Sequence, residues 1–248
     1  MSLLVPVLVV VLAGVLTGVT GFGFSVLSVP LLLLVLPPRE VVVIALCLVP
    51  LTSAVLLLSP SLRGQVRART VGALTACSVI GLPVGIVVFE HVDPMWVTGL
   101  MGVVLAAYAG YGLAGSGRVA VHRHWVVPSG VLGGILATST GLSGPAVAMY
   151  VHGRRVSARQ QAATMAAYVG AVSILGLALL TLRGAVACTD LRLVAQIGPA
   201  AVAGTLLGRW WAGRRHDLLD RVTLVALGLM GVWTLGRALV WLTRGAWG

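Results

Sequence analysis

The chain has little charge and very little acid. Of its 248 residues only 9% are charged, with six acidic residues against 17 basic ones. A soluble globular protein carries about 25% charged residues, which it needs to cover its surface. Because 58% of this chain is hydrophobic, it has too little polar surface for that class. The composition predicts an all-α integral membrane protein.

Residues that support redox, metal or catalytic chemistry are also scarce. Cys47, Cys77 and Cys188 lie far apart, and two of them fall in apolar runs, so neither a disulfide framework nor a metal site is expected. The H-R-H motif at His122 has no acidic or cysteine ligand beside it. No nucleophile with a base occurs within the apolar runs. We therefore expect no cofactor, no metal and no enzymatic activity.

Apolar runs dominate what is present. A helix needs roughly 20 residues to cross a hydrocarbon core of about 30 Å. The N-terminus lacks a basic region, so we interpret it as a membrane segment and not as a cleaved signal peptide. The net charge of +11 comes from arginines in short connections, which is typical of topology signals facing lipid and argues against a nucleic-acid partner. We count eight apolar segments: 3–36, 41–58, 71–89, 95–114, 126–151, 162–182, 193–211 and 222–242.

A duplication organises these segments. A shift of 120 positions superposes matching residues from residue 14 to residue 64, and low-complexity apolar sequence does not easily give an unchanged offset with shared arginines. We predict two homologous halves, residues 1–120 and 121–248, within one transmembrane domain. The pairs are Gly14 with Gly134, Gly21 with Gly141, Arg39 with Arg159, and the L-R-G tripeptide at Leu62 with that at Leu182.

Each half opens with a segment that does not fit one straight helix. Segment 3–36 is too long for one span and short for two, and glycines interrupt it. Segment 126–151 carries T-S-T-G-L-S-G-P from Thr138, which favours unwinding. We predict a broken or re-entrant helical hairpin in each half. Irregular backbone at membrane depth survives only inside protein or beside a watery cavity, so the paired breaks are the predicted binding site.

The arginines favour inverted halves. Suppose that each hairpin returns to the side of the membrane from which it enters, and that every other apolar run crosses once. Then 12 of the 17 basic residues share the cytoplasmic side, as the positive-inside rule requires. Two crossings per hairpin would raise the number of spans to ten without changing the sides. The predicted cytoplasmic residues are Arg63, Arg67, Arg69, Arg118, Arg123, Arg154, Arg155, Arg159, Arg209, Arg214, Arg215 and Arg221. The others are Arg39, Arg183, Arg192, Arg237 and Arg244.

The distribution of acids points to an anionic substrate. No Asp or Glu falls within an apolar run, whereas cation carriers and proton relays usually place carboxylates there. Helix starts at the breaks would carry roughly half a positive charge, which suits an oxyanion. The candidate site has glycines that allow close approach, hydroxyl donors and two flanking arginines: Gly21, Gly23, Gly141 and Gly144; Ser25, Thr138, Thr140 and Ser143; Arg39 and Arg159.

Other interpretations of these residues stay open. Small residues at spacings of three and four often form helix-packing surfaces. Arginines at span ends often reach into the lipid headgroups without binding a ligand. A structural membrane protein without transport activity would need only such packing. Beyond lipid and a small anion, a coupling ion and a second copy of the chain are further possible partners.

The motif G-V-L-T-G-V-T-G-F-G-F-S-V-L-S-V-P at Gly14 resembles the opening of the sulfite exporter TauE/SafE family of bacterial membrane permeases. G-L-S-G-P at Gly141 is similar to that family's internal repeat, and the resemblance covers essentially the whole chain. It implies a duplicated, multi-pass helical permease of the bacterial inner membrane. Its expected activity is secondary transport or export of small anions such as sulfite, sulfoacetate or other sulfonates. At T-S-T-G-L-S-G many relatives have a richer glycine run, which leaves the substrate open.

Overall fold

The computed structural model describes residues 4–113, 122–154 and 156–212, and every regular element within these ranges is a helix. The apolar run 222–242 and the boundary between the halves lie outside the described residues. The helices are α1 Leu4–Thr20, α2 Gly23–Leu32, α3 Pro38–Leu57, α4 Pro60–Arg63, α5 Ala68–His91, α6 Pro94–Leu113, a 3-10 turn Arg123–Trp125, α7 Val126–Thr140, α8 Gly144–His152, α9 Ala158–Leu182 and α10 Cys188–Ala212.

Within the described ranges, four helices are long and apolar enough to cross a bilayer: α3, α5, α9 and Leu191–Trp211 of α10. They differ in burial. In an 18-residue apolar stretch of each helix, 61% of the residues of α3 and 50% of those of α9 are buried, against 33% for α5 and α10. Helices α3 and α9 therefore form the centre of the described bundle. Large apolar side chains such as Leu12, Ile80 and Leu207 stay exposed on the outer helices, as expected for surfaces that face lipid.

Two helix pairs that are distant in sequence form the most extensive contacts of the described bundle. Helix α1 lies on α10, and α7 lies on α5. Both contacts bring backbones together at glycines spaced four apart. The residues are Gly14 and Gly18 on α1, Gly204 and Gly208 on α10, Gly81 and Gly85 on α5, and Gly130 and Gly134 on α7. Without side chains there, helices approach closely and gain dispersion energy, which is a main source of helix association in lipid.

These two contacts correspond to each other residue by residue. A Cβ at Gly81 would overlap the Val131 carbonyl, and one at Gly204 would overlap the Val11 carbonyl. The next pair is Gly85 with Ile135 and Gly208 with Val15. Helices α1 and α7 thus match at the shift of 120 positions, whereas α5 and α10 match at a shift of 123.

The directions of the helices follow from the same contacts. Along α1 and α10, Gly14 meets Ala201 and Gly18 meets Thr205 and Arg209, so these helices run parallel. Helices α3 and α9 run antiparallel, because Gly170 meets Ser53 while Gly176, further along α9, meets Leu46. Since α3 and α9 are equivalent under the shift of 120, a two-fold axis relating them would lie across the helices and not along them.

The bundle has two ends of different charge. At the Glu90 end, α3 begins and α5 and α9 end, joined by Arg39 and Arg183, which both contact Glu90. At the Arg67 end, the Arg67 N–H donates to Thr164 Oγ1 (3.3 Å) and Arg209 Nη1 donates to the Val55 carbonyl (3.4 Å). Among the described residues the helix directions place Arg39, Arg183 and Arg192 at the Glu90 end, and Arg63, Arg67, Arg69, Arg123, Arg154, Arg159 and Arg209 at the Arg67 end.

Candidate functional site

Both predicted breaks are present, and each contains a left-handed glycine. At the first break, residues 21–22, Gly21 has φ +87°, and at the second break, residues 141–143, Gly141 has φ +74°. The N–H of each glycine still closes the preceding helix, with distances of 2.8 Å to Thr17 O and 3.1 Å to Ala137 O. A side chain would be strained in this conformation, which explains why glycine stands at both positions.

The two breaks touch. A Cβ at Gly144 would lie 2.9 Å from the ring of Phe22 and 3.7 Å from its carbonyl oxygen. A Cβ at Gly141 would lie 3.4 Å from Val29, so the second break also contacts α2. At Gly23 the chain has doubled back, since a Cβ there would lie 2.6 Å from the Leu16 side chain. The structure therefore brings the break residues of both halves into one region.

Two helices begin in this region without a side-chain cap. Phe22 precedes α2 and Ser143 precedes α8, and neither side chain accepts a hydrogen bond from the first helical turn. The first N–H groups of an α-helix have no acceptor within the helix and carry part of the positive helix dipole. Pro145 removes one donor from α8. The remaining N–H groups make the region electropositive.

The predicted hydroxyl donors fall into two groups. Thr138 donates to the Leu82 carbonyl (2.9 Å) and Thr140 to the Leu136 carbonyl (2.6 Å), so their hydrogens are committed to the backbone. Ser143 is 1% exposed, and its hydroxyl has no hydrogen-bond partner among the described residues. Ser25 is buried in the first turn of α2. Ser143 therefore has a buried hydroxyl that stays available to a ligand.

The two predicted arginines lie at opposite ends of the bundle. The Arg39 side chain donates to the Glu90 carbonyl (3.2 Å) and lies over Phe89, 5.8 Å from the ring centroid. Arg159 is exposed at the start of α9, at the Arg67 end. Because α3 and α9 run antiparallel, these residues do not converge on one ligand.

A small, open cleft lies beside Arg39. Its lining includes Ser139, a buried residue separated from the second break by Thr140, the last residue of α7. The lining is otherwise apolar. It consists of Pro38, Arg39, Val42, Phe89, Val92, Val97 and Ser139.

Comparison with known proteins agrees with this architecture. A family model described as sulfite exporter TauE/SafE matches residues 6–234. The chain belongs to this family. A TauE/SafE chain with four apolar helices of spanning length is a membrane protein of a transporter family. No curated protein and no solved structure matches it.

Sequence reasoning missed one polar cluster of this TauE/SafE protein. Three oxygen atoms lie within hydrogen-bond distance of Ser78 Oγ: the carbonyls of Leu74 (2.9 Å) and Gly130 (2.8 Å) and the hydroxyl of Tyr168 (2.9 Å). Ser78 donates its one hydrogen to one of the carbonyls, and the Tyr168 hydroxyl can donate to Ser78. These bonds join α5, α7 and α9. No motif marks the cluster, because its members are far apart in sequence and only the packing of α7 on α5 brings them together.

Proposed function

We propose that this TauE/SafE protein is a multi-pass secondary transporter of the bacterial inner membrane that exports small anions, with sulfite or an organosulfonate such as sulfoacetate as substrate. The substrate is held where the two breaks meet, within Gly21 to Ser25 and Thr138 to Gly144. The observation that carries the proposal is Ser143. It offers a buried, unpartnered hydroxyl at the uncapped start of α8, beside the other break.

The chemistry of this region favours an anion over a cation. Backbone N–H groups and a serine hydroxyl donate hydrogen bonds, and sulfite and sulfonate groups carry several acceptor oxygens. The described acids all lie near helix ends: Glu40 in the first turn of α3, Glu90 in the last turn of α5, Asp93 just before α6 and Asp190 near the start of α10. Carriers of cations usually place carboxylates inside the membrane spans and not at the helix ends.

The packing supports a transporter built from two inverted halves, residues 1–120 and 121–248. An antiparallel pair of equivalent helices, α3 and α9, requires a two-fold axis across the helices, which for membrane-spanning helices lies in the membrane plane. The arginine-rich Arg67 end is cytoplasmic by the positive-inside rule. The Glu90 end then faces outward, and each hairpin enters from its own side.

Flux and binding measurements test the proposal. Purified protein in proteoliposomes should move labelled sulfite or sulfoacetate, and a panel of other sulfonates and carboxylates identifies the preferred class. Ser143→Ala should weaken binding about ten- to a hundredfold, since a hydrogen bond to a charged group contributes roughly 1.5 to 3 kcal/mol. Ser53→Ala is the matched control, because Ser53 is also buried and unpartnered but packs against Gly170 on the α3–α9 contact.

Two outcomes would contradict the proposal. If well-folded protein neither transports nor binds any anion of the panel, anion transport is not its function. Equal affinity in Ser143→Ala and Ser53→Ala would remove Ser143 from the site. Gly144→Val adds a steric test, because its side chain would meet the Phe22 ring where the breaks touch.

A further inference from the structure

We propose that the cleft beside Arg39 is an outer anion site that leads to the second break, and that Arg183 is a positioning residue that keeps Arg39 available by neutralising Glu90. The inference rests on the anion transport proposed above. It assigns roles to Arg39, Glu90 and Arg183 at the Glu90 end. Of these, the site predicted from the sequence contains only Arg39.

The position of the cleft supports an access role. Its lining includes Arg39 and Phe89, at the Glu90 end where α3 begins and α5 ends, and also buried Ser139. Ser139 lies on the last turn of α7, directly before Thr140 and the left-handed Gly141. An anion in the cleft is therefore separated from the second break by the end of one helix.

Arg39 is held in a way that preserves its charge. Its described contacts are a carbonyl oxygen and an aromatic face, at 3.2 Å to Glu90 O and 5.8 Å to the Phe89 centroid. Neither group is negatively charged. A guanidinium has five N–H donors in a planar fork, so these contacts leave donors for an oxyanion in the cleft.

Glu90 would compete with that anion if it were unpaired. The Arg39 guanidinium already contacts the main chain of Glu90, so the carboxylate of the same residue lies within side-chain reach. Arg183 at the end of α9 pairs with this carboxylate, with 3.6 Å from Nη1 to Oε2. Together, Arg39, Arg183 and Glu90 carry a single positive charge. Glu40 and Asp93 are close to them in sequence and stay unchanged in every variant compared below. Loss of Arg183 would free Glu90 to pair with Arg39 and cancel that charge.

The other half of the chain has no acid at the sequence position that corresponds to Glu90. Under the shift of 123 positions that relates α5 to α10, Glu90 corresponds to Gly213 and Phe89 to Ala212. Arg159, the counterpart of Arg39, therefore has no acid at the matching sequence position. The acid of this charge group is therefore not explained by the duplication.

The test compares charge variants in sulfite binding and in initial sulfite flux. Arg183→Gln should weaken apparent sulfite affinity about three- to tenfold at low ionic strength, because the local charge becomes neutral. Glu90→Gln should bind as well as wild type or better. The double variant Glu90→Gln with Arg183→Gln restores one positive charge and should return affinity to within about twofold of wild type. Arg192→Gln, an exposed arginine at the same end, is the control for general steering and should change affinity little.

Several results would overturn the inference. Equal effects of Arg183→Gln and Arg192→Gln would reduce Arg183 to a distant charge. A double variant as weak as Arg183→Gln alone would show that Arg183 does not act through Glu90. If Arg183→Gln fails to fold, Arg183→Lys must retain wild-type affinity and Glu90→Gln must not lose it. Wild-type protein that binds no anion would contradict the proposed function, whereas wild-type binding with an indifferent Arg183 would contradict this inference alone.

Discussion

Gly21 and Gly184 share a left-handed backbone conformation but differ in their surroundings. Gly184 has φ +67° with nothing within 4 Å of a Cβ, while a Cβ at Gly21 would lie 2.5 Å from the Ala162 carbonyl oxygen. Gly184→Ala should therefore cost only the backbone strain, about 1 to 2 kcal/mol. Gly21→Ala adds a clash with main-chain atoms and should cost clearly more. Thermal unfolding in detergent measures both, and equal losses would show that α9 moves aside freely.

Two buried serines provide a second comparison at this scale. Ser78→Ala removes a hydroxyl that bonds to Gly130 and Tyr168, and should destabilise the protein by about 1 to 3 kcal/mol because buried polar partners lose a bond. Ser53→Ala removes a hydroxyl without a described partner and should be near neutral. The unfolding midpoints of the two variants decide this. A large loss in Ser53→Ala would reveal a partner that binds this hydroxyl.

Some residue-level features were predictable and others were not. Glycine in both breaks was readable, because Gly21 and Gly141 recur at one offset in otherwise variable apolar sequence. The left-handed conformation falls on these two glycines and not on Gly23 or Gly144, a distinction that depends on where each helix ends. Hydroxyl directions were not readable. Thr138 bonds back to α5, and this contact exists only once α7 and α5 have packed.

At the scale of single helices, the glycine pairs on α1 and α10 make the sharpest prediction. Gly208→Ala places a Cβ against the Val15 carbonyl, so it should push α1 from α10 and lower stability by several degrees in a thermal scan. Gly72→Ala is the control, since nothing lies within 4 Å of its Cβ. Alanine there should be neutral or stabilise α5 by about 0.5 to 1 kcal/mol through helix propensity. A stable Gly208→Ala protein would contradict tight contact between α1 and α10.

Helix positions were readable from the sequence, but helix partners were not. Apolar run length and the proline and glycine positions placed α3, α5, α9 and the two broken segments, with α7 beginning at Val126 as the run did. The pairing of α1 with α10 had no such signal. A glycine pair such as Gly14 and Gly18 marks a close contact but does not identify the helix that approaches it.

For the whole molecule, the arrangement of charge predicts orientation. Single cysteines placed beside Arg67, Arg123, Arg155 and Arg215, after removal of the three native cysteines, should resist an impermeant thiol reagent added outside. Positions beside Arg39 and Arg183 should react. Arg155 and Arg215 lie outside the described residues, so labelling extends the test to them. Strong external labelling at two or more of the first four positions would contradict the inverted arrangement.

The packing of α1 on α10, which is synthesised much later, also affects how the protein folds during synthesis. Helix α1 is among the first described segments to leave the ribosome, yet its partner α10 begins only at Cys188. Until then its glycine face lacks this partner, whereas α7, the partner of α5, already begins at Val126. The amino-terminal half is therefore unfinished when it enters the bilayer, and its completion depends on the carboxy-terminal half arriving in the same membrane. A break in the polypeptide between the halves would be tolerated only where both fragments are synthesised together.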